Sequence, residues 1–224
     1  MTINNIDENK KIKLQSVFLV DFDDTLFPSS WCNKNMINLN DTNSVSNYKL
    51  YFIELDKTTS NFLDNLKTYG EIYIVTNANI KWIKTCLNIL SLTKKIIMDN
   101  NIRIVSARDL YSQKTTSPTE WKINTFKDIT NNILIKYSEK SNNNTFLNIV
   151  SIGDADYEYI ALLNLDGFFK SNIKNINYLL KSIKFIEKPN FDLIIDQILS
   201  VKKNMELIVN KIGYIDLKFS DNEF

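Results

Sequence analysis

Two aspartates separated by one residue, Asp21 and Asp23, stand directly after the apolar run Val17 to Val20 in the segment VFLVDFDDT. A carboxylate held at the end of a strand can act as a nucleophile and carry a phosphoryl group as an aspartyl-phosphate. A second carboxyl two residues on is placed to protonate a leaving group, then to take a proton from the water that cleaves the acyl-phosphate. An anionic nucleophile repels an anionic substrate unless a hard cation neutralises the pair. Mg²⁺ does so with oxygen ligands from one or two carboxylates and the substrate phosphate. Asp154, which closes the segment FLNIVSIGD, supplies a further carboxylate after an apolar run. A transferring phosphoryl group spreads charge over its equatorial oxygens and needs donors around them. Thr76, with Asn77 beside it, and Lys122 are the candidates.

What the chain lacks narrows the chemistry further. It contains no histidine, so histidine bases, histidine metal ligands and Ser-His or Cys-His nucleophiles are excluded. Its two cysteines, Cys32 and Cys86, form no CxxC pair, which leaves a zinc site without support and reads as two buried free thiols in a reducing compartment. Catalysis is left to carboxylates, lysine, hydroxyls or a metal.

The elements that must position these groups follow from hydrophobic pattern. Apolar, β-branched runs at Val17–Val20, Ile72–Val75, Ile102–Val105, Phe146–Ile152 and Ile183–Ile186 predict strands buried on both faces. Between them lie helical stripes: Leu50, Ile53, Leu55, Phe62, Leu63 and Leu66, closed by Gly70; then Trp82, Ile83, Cys86 and Leu90; then Trp121, Phe126, Ile129, Ile133 and Ile135; then Phe191, Leu193, Ile194, Ile198 and Val201. Alternating strand and helix predicts a three-layer Rossmann-like α/β fold, a parallel sheet with helices on both faces. Right-handed crossovers put every strand C-terminus on one edge, where such sheets bind ligands. Asp21, Thr76, Ser106 and Asp154 all fall on that edge.

In this order the segments resemble the four motifs of the haloacid dehalogenase superfamily. VFLVDFDDT is similar to its first motif, IYIVT to its second, Lys122 to its third-motif lysine, and IVSIGDADYE to its fourth. The segments TNANIKW, SARD, WKINTF, SIGDADYE and KSIKFIEKP resemble a poorly characterised eukaryotic and viral group within it, over about residues 15 to 206. The resemblance implies a Mg²⁺-dependent phosphatase. Asp21 is then the nucleophile and Asp23 the acid and base. Thr76, Asn77 and Lys122 bind phosphate, and Asp21, the Asp23 carbonyl and Asp154 hold the metal. The fourth motif often ends in Asp; here Glu158 stands in its place, one shell out from the metal. Relatives that dehalogenate lack an acid two residues after the nucleophile, so Asp23 argues for phosphatase chemistry.

Other residues take plainer readings. Asp24 caps or faces solvent, Asp156 is exposed at a helix start, Arg108 forms a structural ion pair, Trp121 belongs to the core, and Ser106 is divided evenly between site and scaffold. Relatives choose substrates through cap insertions. Here the polar, Asn-rich segment from Leu26 to Lys49 is long enough only for a flap, a minimal (C0-type) cap with Trp31 expected against substrate. Open sites of this kind serve macromolecules or small phosphorylated compounds. Residues 1–14 are expected as a flexible N-terminus, 15–206 as the catalytic domain and 207–224 as a small β appendage, a hairpin turning at Gly213.

At 224 residues with a net charge of +1, the chain lacks the basic stripe of a nucleic-acid binder, which weighs against a nucleic-acid partner. The lysine clusters Lys10, Lys11, Lys13 and Lys202, Lys203 read as solvated surface, and Asn142 to Asn144 as a loop tip. No apolar run spans a bilayer and no signal peptide is visible, which predicts no membrane association and a cytoplasmic location. Two rival functions stand beside the phosphatase: a non-catalytic member that binds a phosphorylated partner or scaffolds others, and a polynucleotide end phosphatase. Oligomeric state is not legible.

Overall fold

The computed structural model describes residues 13–138, 145–172 and 176–220. Lys10, Lys11, the Asn142–Asn144 tip and most of the expected N-terminal segment lie outside the described residues. In chain order the elements are β1 (Lys13–Val20), α1 (Ser29–Lys34), α2 (Thr42–Asn47), α3 (Lys49–Tyr69), β2 (Gly70–Thr76), α4 (Ile80–Ile89), α5 (Ser91–Asp99) and β3 (Arg103–Ser106). They continue with α6 (Ala107–Tyr111), α7 (Pro118–Ser138), β4 (Thr145–Gly153), α8 (Asp156–Asn172), β5 (Asn177–Lys184), α9 (Phe191–Asn210) and β6 (Ile215–Lys218). Among the described residues no helix is long and apolar enough to cross a membrane.

The six strands form one parallel sheet in the order β3-β2-β1-β4-β5-β6. Helices cover both faces, the three-layer Rossmann-like arrangement expected from the pattern. Strand β1 shows why the layers are separate. Its side chains alternate, so Phe18 and Val20 enter a core with α3, α4 and α9, while Val17 and Leu19 enter another with α7 and α8. All four are fully buried, which accounts for the unbroken apolar run of a strand covered on both sides.

Three expectations need correction. Strand β5 begins at Asn177, six residues before the expected Ile183. Lys181 disguises it: a lysine inside a strand reads as a solvated break, yet this one is fully buried. Its ammonium donates to the Ile208 and Val209 carbonyls at 2.7 and 2.8 Å, satisfying acceptors that the end of α9 leaves open. Asn148 of β4 also donates to the Val209 carbonyl, at 3.2 Å. Second, the C-terminal hairpin is absent. Ile208 and Val209 are still in α9, and β6 pairs parallel to β5 as the sixth strand. Third, Leu50 and Ile53 are exposed and Phe52 is buried in their place, because the 3.6-residue period back from Leu55 and Phe62 selects Phe52. Gly70 does cap α3, its N–H donating to the Leu66 carbonyl, and it is close approach that requires a glycine there. Its φ is 175°, an extended value, but a Cβ there would lie 2.0 Å from the Ser16 carbonyl oxygen.

The buried Lys181 makes stability depend on pH. Burial lowers its pKa from 10.5 to about 8. Between those values the unfolded chain binds more protons than the folded one, so stability rises with pH across that window. Urea unfolding from pH 7 to 10 is expected to show this rise between pH 8 and 10, and Lys181→Met to lose it.

Candidate active site

The chain leaves β1 towards β2 and β3 on one side, then returns to place β4 on the other. The strand order therefore reverses between β1 and β4, and the crevice outside the strand ends at such a point is where α/β sheets bind ligands. Asp21 follows β1 there, its backbone N–H still donating to the Ile152 carbonyl of β4 at 2.8 Å. Asp154 follows β4, and Thr76 ends β2 on the opposite flank. The fold thus brings Asp21, Asp23, Thr76, Lys122, Asp154 and Glu158 to one edge.

Lys122 reaches this edge from α7 and is fully buried. Its three donors have three acceptors: Asp21 Oδ1 at 2.6 Å, Glu158 Oε1 at 2.7 Å and the Val75 carbonyl at 2.7 Å. Burial works to lower the Lys122 pKa, but Asp21 and Glu158 outweigh it and keep the ammonium charged. Glu158, in the first turn of α8, turns back against Gly153. A Cβ at Gly153 would lie 2.4 Å from the Glu158 Cγ, so the glycine of the GD pair makes room for the acid four residues after Asp154.

Asp23 is held by three donors: Ser29 Oγ and Trp82 Nε1 on Oδ1, at 2.5 and 2.7 Å, and Thr76 Oγ1 on Oδ2, at 3.1 Å. The Thr76 hydroxyl also accepts from Ala78 N at 2.9 Å. The Asn77 amide donates to the Pro118 carbonyl at 3.2 Å, and its buried Oδ1 has no partner. Trp82 and Ser29 were not legible as site residues. Trp82 reads as part of an apolar stripe; the one available signal is that a buried indole N–H needs an acceptor.

The plainer readings divide. Asp156 is exposed and pairs with Lys184 at 2.6 Å. Trp121 packs against the core, its indole donating to the Thr115 carbonyl. Ser106 is scaffold: it caps α6 by accepting from Asp109 N and donates to the Ala78 carbonyl at 2.7 Å. Asp24 does cap, accepting from the backbone N–H and hydroxyl of Ser30 in α1, but it does so buried, with a φ of 55°. Arg108 is exposed, with no ion pair among the described residues. Its neighbour Asp109 turns instead to Ile80 N at 3.0 Å, fixing the start of α4. Trp31 packs on Tyr48, Tyr51 and Phe191, with ring centroids 5.3 to 5.5 Å away. It anchors the flap to α3 and α9.

The electrostatics are those of an acidic pocket short of positive charge. Burial pushes the Asp21 carboxyl well above its ordinary range, Lys122 pulls it back, and Glu158, Asp154 and Asp23 add to the rise. Burial, then Glu158 and Asp24, push Asp154 up to about 8. Glu158 Oε2 is buried without a partner. A cation taking oxygen ligands fits these orphaned and mutually repelling groups. Among the described residues no three His, Cys, Asp or Glu side chains form a ready cage, but Mg²⁺ requires only one or two carboxylates.

Comparisons with protein-family models, curated proteins and solved structures return no match for this chain.

Two substitutions should move stability in opposite directions without added metal. Lys122→Met leaves Asp21 and Glu158 unpaired and is expected to cost about 3–5 kcal/mol. Asp154→Asn removes a carboxyl that at neutral pH must take up a proton or be buried charged on folding, its pKa being raised to about 8, and is expected to raise the melting midpoint by about 2–4 °C, the equivalent of ~1 kcal/mol in a domain this size. Calorimetry on the two variants checks both signs.

Proposed function

We propose that this protein is a Mg²⁺-dependent phosphomonoester hydrolase that works through an aspartyl-phosphate on Asp21, as its resemblance to haloacid dehalogenase phosphatases implies. The observation that carries this reading is the pairing of two differently held carboxylates at the strand edge. Asp21 sits against the buried Lys122 ammonium at 2.6 Å. Asp23, two residues on, is fixed by Ser29, Trp82 and Thr76. One carboxylate is presented as nucleophile and the other is oriented beside it as a proton carrier.

Asp21 attacks phosphorus and forms the acyl-phosphate bond while the bond to the leaving oxygen breaks, and Asp23 protonates that oxygen. Water then attacks the same phosphorus, Asp23 takes its proton, and the Asp21 carboxylate is released with inorganic phosphate. Lys122 holds Asp21 in place and offers positive charge to the phosphoryl oxygens. Thr76, with the backbone N–H groups that follow it, offers donors on the β2 side. Asp21, the Asp23 carbonyl and Asp154 would hold the Mg²⁺, which when bound neutralises the charge between nucleophile and phosphate. Glu158 supports this set through Lys122.

Between β1 and α3 the chain has only the short helices α1 and α2, so no cap domain encloses the site from that segment. An open mouth suits a phosphorylated macromolecule as well as a small phosphate ester. A net charge of +1 favours a protein or metabolite over a nucleic-acid end.

Phosphate release should be measured from phosphorylated metabolites, phosphopeptides and end-phosphorylated oligonucleotides, with and without Mg²⁺. Release is expected to need both Mg²⁺ and Asp21, with Asp21→Asn reducing it by at least about 10⁴-fold. A folded, Mg²⁺-binding protein that releases no phosphate from any of them would instead support a binding or scaffolding role.

A further inference from the structure

We propose that the outer edge of β6 is a self-pairing surface, through which two copies of this chain join their sheets antiparallel about a two-fold axis at Leu217. β6 is the last strand of the sheet, and among the described residues nothing pairs with its outer edge. Phe219 N donates to the Lys184 carbonyl at the end of β5, at 2.9 Å. Alternate residues of a strand direct their backbone groups the same way, so Ile215 and Leu217 also address β5. Asp216 and Lys218 then direct their N–H and C=O groups away from the sheet.

The side chains alternate in step with the backbone. Ile215 and Phe219 pack on the core that α9 covers, which puts Leu217 on that face; it is 43% exposed. Asp216 and Lys218 fall on the other face, where the Lys218 ammonium stands 4.8 Å from the ring centroid of Tyr159 in α8. Both are exposed.

Antiparallel pairing joins residues whose backbone groups point outward. Registers that oppose Asp216 to Asp216, or Lys218 to Lys218, set like charges together and are disfavoured. The register centred on Leu217 opposes Asp216 to Lys218 of the second copy, and the two-fold axis repeats the pair. In each pair the two residues exchange both backbone hydrogen bonds. On the α9 face the same register sets Leu217 beside Leu217 of the second copy and Ile215 beside its Phe219. A groove of about 550 Å³ between α9 and β6, lined by Ile183, Leu207, Ile208, Ile215 and Leu217, lies on this face. Leu207 on its wall is 73% exposed. Charge alone would guard an edge strand against association. Here the charges are opposite in sign at positions that the axis brings together, and the face behind them is apolar.

Antiparallel joining puts the strand C-termini of the two copies at opposite ends of the continuous sheet. Asp21, Asp23 and Asp154 stay open in each copy, so association and catalysis are separately testable.

The test is sedimentation velocity on the full chain, from about 1 to 200 µM, where a monomer–dimer equilibrium is expected. Asp216→Lys and Lys218→Asp each oppose like charges in both pairs and are expected to weaken the dimer at least about tenfold. The double variant restores opposite charges and should return to within about threefold of wild type. An equal mixture of the two single variants should form a heterodimer tighter than either forms alone. Leu217→Lys disrupts the apolar face and should weaken the dimer too, which keeps the test valid if a charge reversal does not fold. A wild-type chain that stays monomeric throughout, or a dimer that neither reversal weakens, would overturn the self-pairing.

Discussion

A fully buried lysine ammonium holds this molecule's working edge together. Moving a charge from water into a protein interior costs several kcal/mol unless it is paired and hydrogen-bonded. Lys122 meets that condition through one acceptor from each of three strand ends or the turns after them: Asp21 after β1, the Val75 carbonyl in β2 and Glu158 after β4. Its three hydrogens are all used. The lysine therefore fixes the register of α7 against the sheet, the position of the Asp21 carboxylate and the inward turn of α8. Gly153 is part of the same constraint, because any side chain there would collide with Glu158.

Around this grip the acidic groups are left crowded and short of positive charge. Asp21 and Asp154 are buried, crowded by Glu158, Asp24 and one another, and raised above the usual carboxylate range. Such crowding is set against two apolar layers and a parallel sheet. The second helix layer contributes separately. Trp82 on α4 and Ser29 on α1 orient Asp23 without touching Asp21, so the two carboxylates are held by independent parts of the structure.

The sequence by itself determined the α/β class, the parallel sheet and the convergence of Asp21, Thr76 and Asp154 on one edge. Unbroken apolar strands and right-handed crossovers leave little choice of topology. It could not show that Lys122 is fully buried, since a lysine in an amphipathic helix reads as surface until three acceptors from distant segments are seen to surround it. Lys181 hid β5 for the same reason, its partners being carbonyls 27 and 28 residues away. Tertiary structure alone decided that Trp82 is a donor to Asp23, that Trp31 anchors the flap on aromatic neighbours, and that residues 215–218 extend the sheet. Periodicity reports which side of an element is apolar. It carries no information on which single polar atom within an apolar face finds its partner 59 residues back along the chain.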